Sequence, residues 1–153
     1  VSEMASLPLD RPAEWERQVL TWSLAHPLGW ALASVNPPAA ASFGGWAAAN
    51  GSRVRTLDHH SLPLVVDVDT PDKVGIDRLL GAVAARSLTP DGSPAVTVDV
   101  GTAVTVNLID EAGVFRGGAI FPGPRLMARA LHRDTAALPD ADLNEVPAVA
   151  ALG

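Results

Sequence analysis

The stretch V96-T-V-D-V-G-T-A-V-T-V-N-L-I-D-E-A-G-V-F-R-G-G-A-I-F-P-G123 decides how the chain is read. Valines alternate with Thr97 and Asp99, so Val96, Val98 and Val100 point one way and the two polar residues the other. The run predicts three short strands, Ala95–Val100, Ala103–Ile109 and Val114–Arg116, joined by tight turns at Gly101-Thr102 and Asp110–Gly113. An aspartate at a strand end beside Gly-Thr is not needed for folding. Gly101 lets backbone approach a ligand closely. Amides of such a turn, with the Thr102 hydroxyl, can donate to phosphate oxygens, while Asp99 could hold a cation. The plainer reading is a tight hairpin with Asp99 as an exposed polar position. For these four residues alone that reading is preferred, because short motifs often match by chance.

Upstream, the pattern alternates helix and strand. Arg11–Ala25 reads as a helix capped by Asp10, with Trp15, Val19 and Trp22 on one face. Trp30–Val35 is apolar throughout, like a strand covered on both faces. Asn36-Pro37-Pro38 opens an alanine-rich helix that ends near Asn50-Gly51, and Arg53–Leu57 is a short strand. Leu62–Val68 is extended, with Pro63 at its start. Thr70-Pro71-Asp72 marks the N-terminus of a further helix running to Arg86. Leu88–Pro94 is the candidate boundary. Beyond the strands, "PRLMARALHRD" restarts a helix, and the tail from Thr135 is loop-like. The expectation is an α/β chain in two parts, 1–90 and 91–153.

Composition narrows the function. The chain has 153 residues, 48% hydrophobic, enough for a real core. No cysteine is present, which excludes thiolate metal sites and disulfides. Net charge is −6, with one lysine, Lys73, and ten arginines that form no cluster, which argues against nucleic acid as a partner. No apolar run reaches membrane-spanning length, and the first residues lack the pattern of a secretory leader. His26, His59, His60 and His132 have no zinc-like spacing to acidic partners, and His59-His60 reads as an exposed loop.

"GIDR", Gly75–Arg78, lies at the start of the third helix. Asp77 there is favoured by the helix dipole alone. Yet Gly75 and Gly81 each cost about 1 kcal/mol against Ala in a helix. Gly81, one turn on from Asp77, would clear space beside the carboxylate, and Arg78 offers a donor fork for an acidic ligand. Structural and functional readings stand even at this point.

Order and spacing add more. "PDKVGIDRLLGAVAAR", then "VTVDVGTAVTVNLIDEAGVFRGGAIFPG", then "ALHRDTAALP" resembles the type III pantothenate kinases. That family carries Gly-x-Asp-Arg, Asp-x-Gly-Thr-Ala, Gly-Gly-x-Ile-x-Pro-Gly and Ala-x-Leu-Pro in this order. The resemblance runs from about Trp30 to the end. It implies an α/β, ribonuclease-H-like fold of the actin-like ATPase superfamily, with two half-domains, both incomplete here. It implies a homodimeric enzyme that uses ATP with Mg²⁺ to phosphorylate pantothenate in the first step towards coenzyme A; the lack of cysteine fits a cytoplasmic location, and charge and hydropathy give the expectation of no nucleic-acid or membrane partner. The resemblance makes Asp77 the catalytic base. Gly75, Ile76 and Arg78 would line the pantothenate site with it. Thr102 would contact ATP, and Asp99 would bind a monovalent cation, K⁺ or NH₄⁺.

Some family features are not found. The family's opening Asp-x-Gly-Asn-Thr phosphate loop and its later Gly-x-x-Thr segment do not occur, and Val104 stands where threonine is usual. The chain therefore reads as the middle of a kinase, with Val1 in place of Met hinting at truncation, and little activity is expected of it alone. The alternative is a catalytically inactive relative that acts as a metabolite-binding or regulatory accessory factor.

Overall fold

A computed structural model describes residues 3–139 of the chain. It divides into two compact units, Val1–Pro63 with Thr70–Leu80, and Leu64–Asp69 with Gly81–Gly153.

The first unit is built on a parallel strand–helix–strand. Strand β1 (Gly29–Leu32) and strand β2 (Arg53–Thr56) pair in parallel from Gly29↔Arg53 to Leu32↔Thr56. Helix α2 (Pro37–Ala49) makes the crossover. Its start is set locally: Asn36 Oδ1 accepts from Ala39 N at 3.1 Å, and Pro37 fills the first helical position. Its end is set by Gly51, at φ +68°, a conformation glycine adopts without penalty. Trp30 of β1 packs between Phe43 and Trp46 of α2, with ring centroids 5.2 and 5.8 Å away. Trp15 completes the cluster, 5.5 Å from both α2 rings. β1 is covered on this side only, and Gly29 and Ala31 stay exposed, whereas the apolar run predicted cover on both faces.

Helix α1 (Pro12–Thr21) carries Trp15 and buries Trp15 and Val19. It is shorter than the expected Arg11–Ala25. Ser23 takes a positive φ of 56°, and Leu24 N turns back to Val19 O at 3.0 Å, which closes the helix. Asp10 does not cap it. Arg11 is the N-cap, without a side-chain cap bond, and pairs with Glu14 instead.

The third helix also starts later than the sequence suggests. Thr70 makes no cap bond, and Pro71–Lys73 forms only a 3-10 turn. Val74 is extended, and Gly75 follows before helix α3 (Ile76–Leu88) begins.

The second unit holds a four-stranded sheet. Strand β4 (Ala95–Val100), strand β5 (Ala103–Ile109) and strand β6 (Val114–Pro122) form the expected antiparallel meander. β6 continues six residues past the predicted end at Arg116. Gly117, at φ +86°, and Gly118 carry it through a register shift opposite Asn107–Ile109. At Gly118 the backbone lies so close to Val106 O that a Cβ would overlap it. The Leu62–Val68 segment, expected to be extended throughout, is only partly a strand. Only β3 (Val65–Val66) is a strand, and it joins the meander, parallel to Val114 and Phe115 of β6. The outer edge of β6 has unpaired backbone groups, which β3 satisfies; Asp67 N donates to Phe115 O at 3.0 Å.

Alternation sorts the hairpin as read. Val96, Val98 and Val100 face the side of Leu108, Val106 and Val104, and Thr97 and Asp99 face that of Asn107 and Thr105. The three valines are 61–62% exposed. Packing is on the other face, where Asn107, Ile109 and Phe115 are buried and Asn107 Nδ2 donates to Thr97 Oγ1 at 3.1 Å. Helix α4 (Pro124–Asp134) closes the description. The tail beyond Pro139, expected to be a loop, lies outside the described residues. Among those described, no helix is long and apolar enough to cross a membrane.

Candidate functional site

Gly75, Ile76, Asp77 and Arg78 lie together at the head of α3. The inner side of this helix turn is anchored by Ile76 and Leu79, which are buried. Asp77 therefore faces outward and is exposed. Its Oδ1 accepts from Arg78 N at 2.9 Å, while Gly75 O accepts from Arg78 N and Leu79 N at 3.1 and 3.4 Å. Gly75 is needed here for space. A Cβ on it would overlap Asp77 Oδ1 and touch Val35 Cγ1. The glycine thus lets the carboxylate fold back over the first turn, where the helix dipole stabilises negative charge. It precedes the helix, so it carries none of the helix-interior cost expected from the sequence. A Cβ on Gly81 would meet nothing within 4 Å.

The second group is the β4–β5 turn. Asp99 and Thr102 are both exposed, and Asp99 stands directly opposite Thr105. Gly101 N donates to Ala103 O at 2.9 Å, which closes the turn. Gly123 holds it from behind: its N donates to Thr102 O at 2.8 Å, and a Cβ there would overlap Gly101 O and Thr102 O. The Pro122-Gly123 punctuation thus has a physical purpose, the close approach of the start of α4 to the Gly-Thr turn. Between them opens a cleft of about 580 Å³, lined by Val100, Gly101, Thr102, Pro124, Arg125, Leu126 and Arg129. A threonine, the first turn of a helix and two arginines line one cavity, residue types suited to an anion.

Arg125 and Arg129 were not legible as site residues. They look like any helix arginines until α4 is folded against the turn, although their i,i+4 spacing after Pro-Gly was a usable signal. Two other groupings were also invisible. Asp110 accepts from Val114 N at 2.9 Å and from Arg116 Nε at 2.6 Å, and Arg116 also pairs with Asp67. The Val114 amide, and then Arg116, hold the Asp110 carboxyl below its usual range. His59 and His60 meet Asp72, which no local spacing indicated.

The sequence profile of the family described as type III pantothenate kinase matches residues 9–152. The chain belongs to the type III pantothenate kinase family. It is 48% identical to a type III pantothenate kinase of Rhodopirellula baltica over 90 residues, 59% of this chain and 32% of that protein. It is 49% identical to one of Halorhodospira halophila over 75 residues, 49% of this chain and 29% of the relative. With one of Rubrobacter xylanophilus it shares 51% over 79 residues, 52% of this chain and 29% of the relative. The matched stretch thus spans about a third of these curated relatives. The family is a family of kinases, and the mixed parallel and antiparallel α/β architecture is consistent with it.

Proposed function

We propose that this chain carries the pantothenate-facing and nucleotide-facing elements of an ATP-dependent pantothenate kinase, acting at the first step towards coenzyme A. The supporting observation is an exposed carboxylate, Asp77, folded over a helix N-terminus by the space Gly75 leaves, in a chain of this family. In the proposed mechanism Asp77 orients the pantothenate hydroxyl and takes its proton. A carboxylate is a weak base for an alcohol, but the proton can leave late in a loose transition state, so positioning matters more than basicity. Arg78 suits the carboxylate of pantothenate, and Gly75 and Ile76 complete the wall of that site.

On the nucleotide side, Thr102, Arg125 and Arg129 would hold phosphate oxygens in the cleft beside the start of α4. Asp99, with Thr105 opposite it, presents oxygen donors of the kind a hard monovalent cation takes. K⁺ or NH₄⁺ there, with Mg²⁺ carried on ATP, would offset phosphate charge. The ribonuclease-H-like assignment, with half-domains divided near residue 90, belongs to the same proposal, as do the cytoplasmic location and the homodimer.

The test is ligand-induced shift of backbone amide resonances in the isotope-labelled chain. Pantothenate should move Gly75–Leu79, and Mg-ATP in potassium buffer should move Gly101–Ala103 and Arg125–Arg129. Shifts confined to other residues, or no shifts at millimolar ligand, would refute the assignment.

A further inference from the structure

We propose that His59, His60 and Asp72 form a binding site for a divalent transition cation, Zn²⁺ foremost. One ligand atom from each residue lies within 4.8 Å of the other two. His59 Nε2 and Asp72 Oδ1 are 3.2 Å apart, and the two imidazole centroids are 3.8 Å apart. Bonds of about 2.0–2.2 Å set tetrahedral ligand atoms roughly 3.3–3.6 Å apart. The His59–Asp72 pair is therefore already at ligand spacing, and the exposed His60 ring closes the rest by rotation.

The backbone brings these groups together deliberately. Neighbouring side chains on an extended strand point apart. Here the 3-10 turn His59–Ser61 puts both rings on one side. That turn is locked by a reciprocal cap: Asp58 Oδ1 accepts from Ser61 N and Oγ at 2.9 and 2.7 Å, and Ser61 Oγ accepts from Asp58 N at 3.3 Å. Asp72 comes from the second 3-10 turn, Pro71–Lys73, whose first φ is restricted by proline. A simple His59–Asp72 ion pair would account for two of the residues and leave the convergence of His60 without a purpose.

Ligand chemistry selects the ion. Two imidazoles and one carboxylate suit Zn²⁺, and Co²⁺ as its spectroscopic substitute, whereas Mg²⁺ and Ca²⁺ prefer oxygen alone. Three protein ligands leave a position for water or a further group. The ion would clip two turns separated in sequence, three residues ahead of Gly75. This site is independent of the proposed kinase reading, and its test does not use activity.

The experiment is titration of the chelator-stripped full chain with Zn²⁺ alone by calorimetry, and with Co²⁺ alone by visible absorption. The expected result is one equivalent bound with a Kd of about 1 μM or tighter. His59→Gln, His60→Gln and Asp72→Asn should each weaken binding by at least about tenfold. His132→Gln, outside the cluster, should leave it unchanged. Circular dichroism in chelator checks that each variant is folded; if His59→Gln is not, the exposed His60→Gln decides. A Kd weaker than about 100 μM, no loss in the folded cluster variants, or equal loss in His132→Gln overturns the proposal.

Discussion

Replacing Asp77 by Asn separates a base from a helix-end charge. The substitution keeps shape, and an Asn Oδ1 can still accept from Arg78 N, so the hydrogen bond seen at 2.9 Å survives. What is lost structurally is one negative charge in the first turn of α3, on an exposed side chain. That costs about 0.3–1 kcal/mol, at most a few degrees in Tm for a chain of this size. Loss of a general base, in contrast, lowers the rate about 10²–10⁴-fold, equivalent to roughly 2.7–5.4 kcal/mol of barrier. The two ranges do not overlap. The assay is steady-state phosphorylation of pantothenate by a catalytically competent protein carrying this sequence, with a melting curve for each variant. The KM for ATP should change little. A variant that melts about 1 kcal/mol less stably but turns over at the parent rate would refute the role of Asp77 as base.

Other outcomes follow from the same geometry. In the same competent protein, Asp99→Asn should weaken ATP use and flatten the dependence of rate on potassium, read by varying KCl at fixed ionic strength; an unchanged potassium curve removes Asp99 from the cation site. Gly75→Ala forces the flexible Asp77 carboxylate to swing away, so turnover should fall by about 10²-fold while stability changes by less than about 1 kcal/mol. Gly123→Ala meets rigid backbone at Gly101 and Thr102, and should cost about 1–3 kcal/mol in urea unfolding. The carboxyl of Asp110 titrates below its ordinary value when folded, so its contribution is present above about pH 4 and fades as pH falls through the folded value. The Tm gap between the parent and Asp110→Asn should therefore narrow on acidification below about pH 4, and a gap independent of pH would contradict the Val114 and Arg116 contacts.

Much of this molecule was determined locally. The β4–β5–β6 meander follows from alternation and from turn residues that act within a few positions of themselves. Asn36-Pro37 and Asn50-Gly51 bound α2 for the same reason: caps and positive-φ glycines are local devices. The motif string that marks the kinase family is likewise linear. Boundaries set by competition between neighbours were not legible. Whether Thr70-Pro71 starts a helix depends on Val74 extending, and α1 ends where Leu24 turns back to Val19. The partner of β3 was a tertiary matter, because an extended segment pairs with whichever sheet edge lies beside it, and that edge belongs to β6. The same holds for which hairpin face is packed, since alternation separates the valines from Thr97 and Asn107 without saying where neighbouring elements lie. Arg125 and Arg129 beside Thr102, and Asp72 beside His59 and His60, come together only when segments distant in sequence are folded against each other. Sequence spacing carries the residues that act through their immediate backbone, and the tertiary structure alone decides those that act through space.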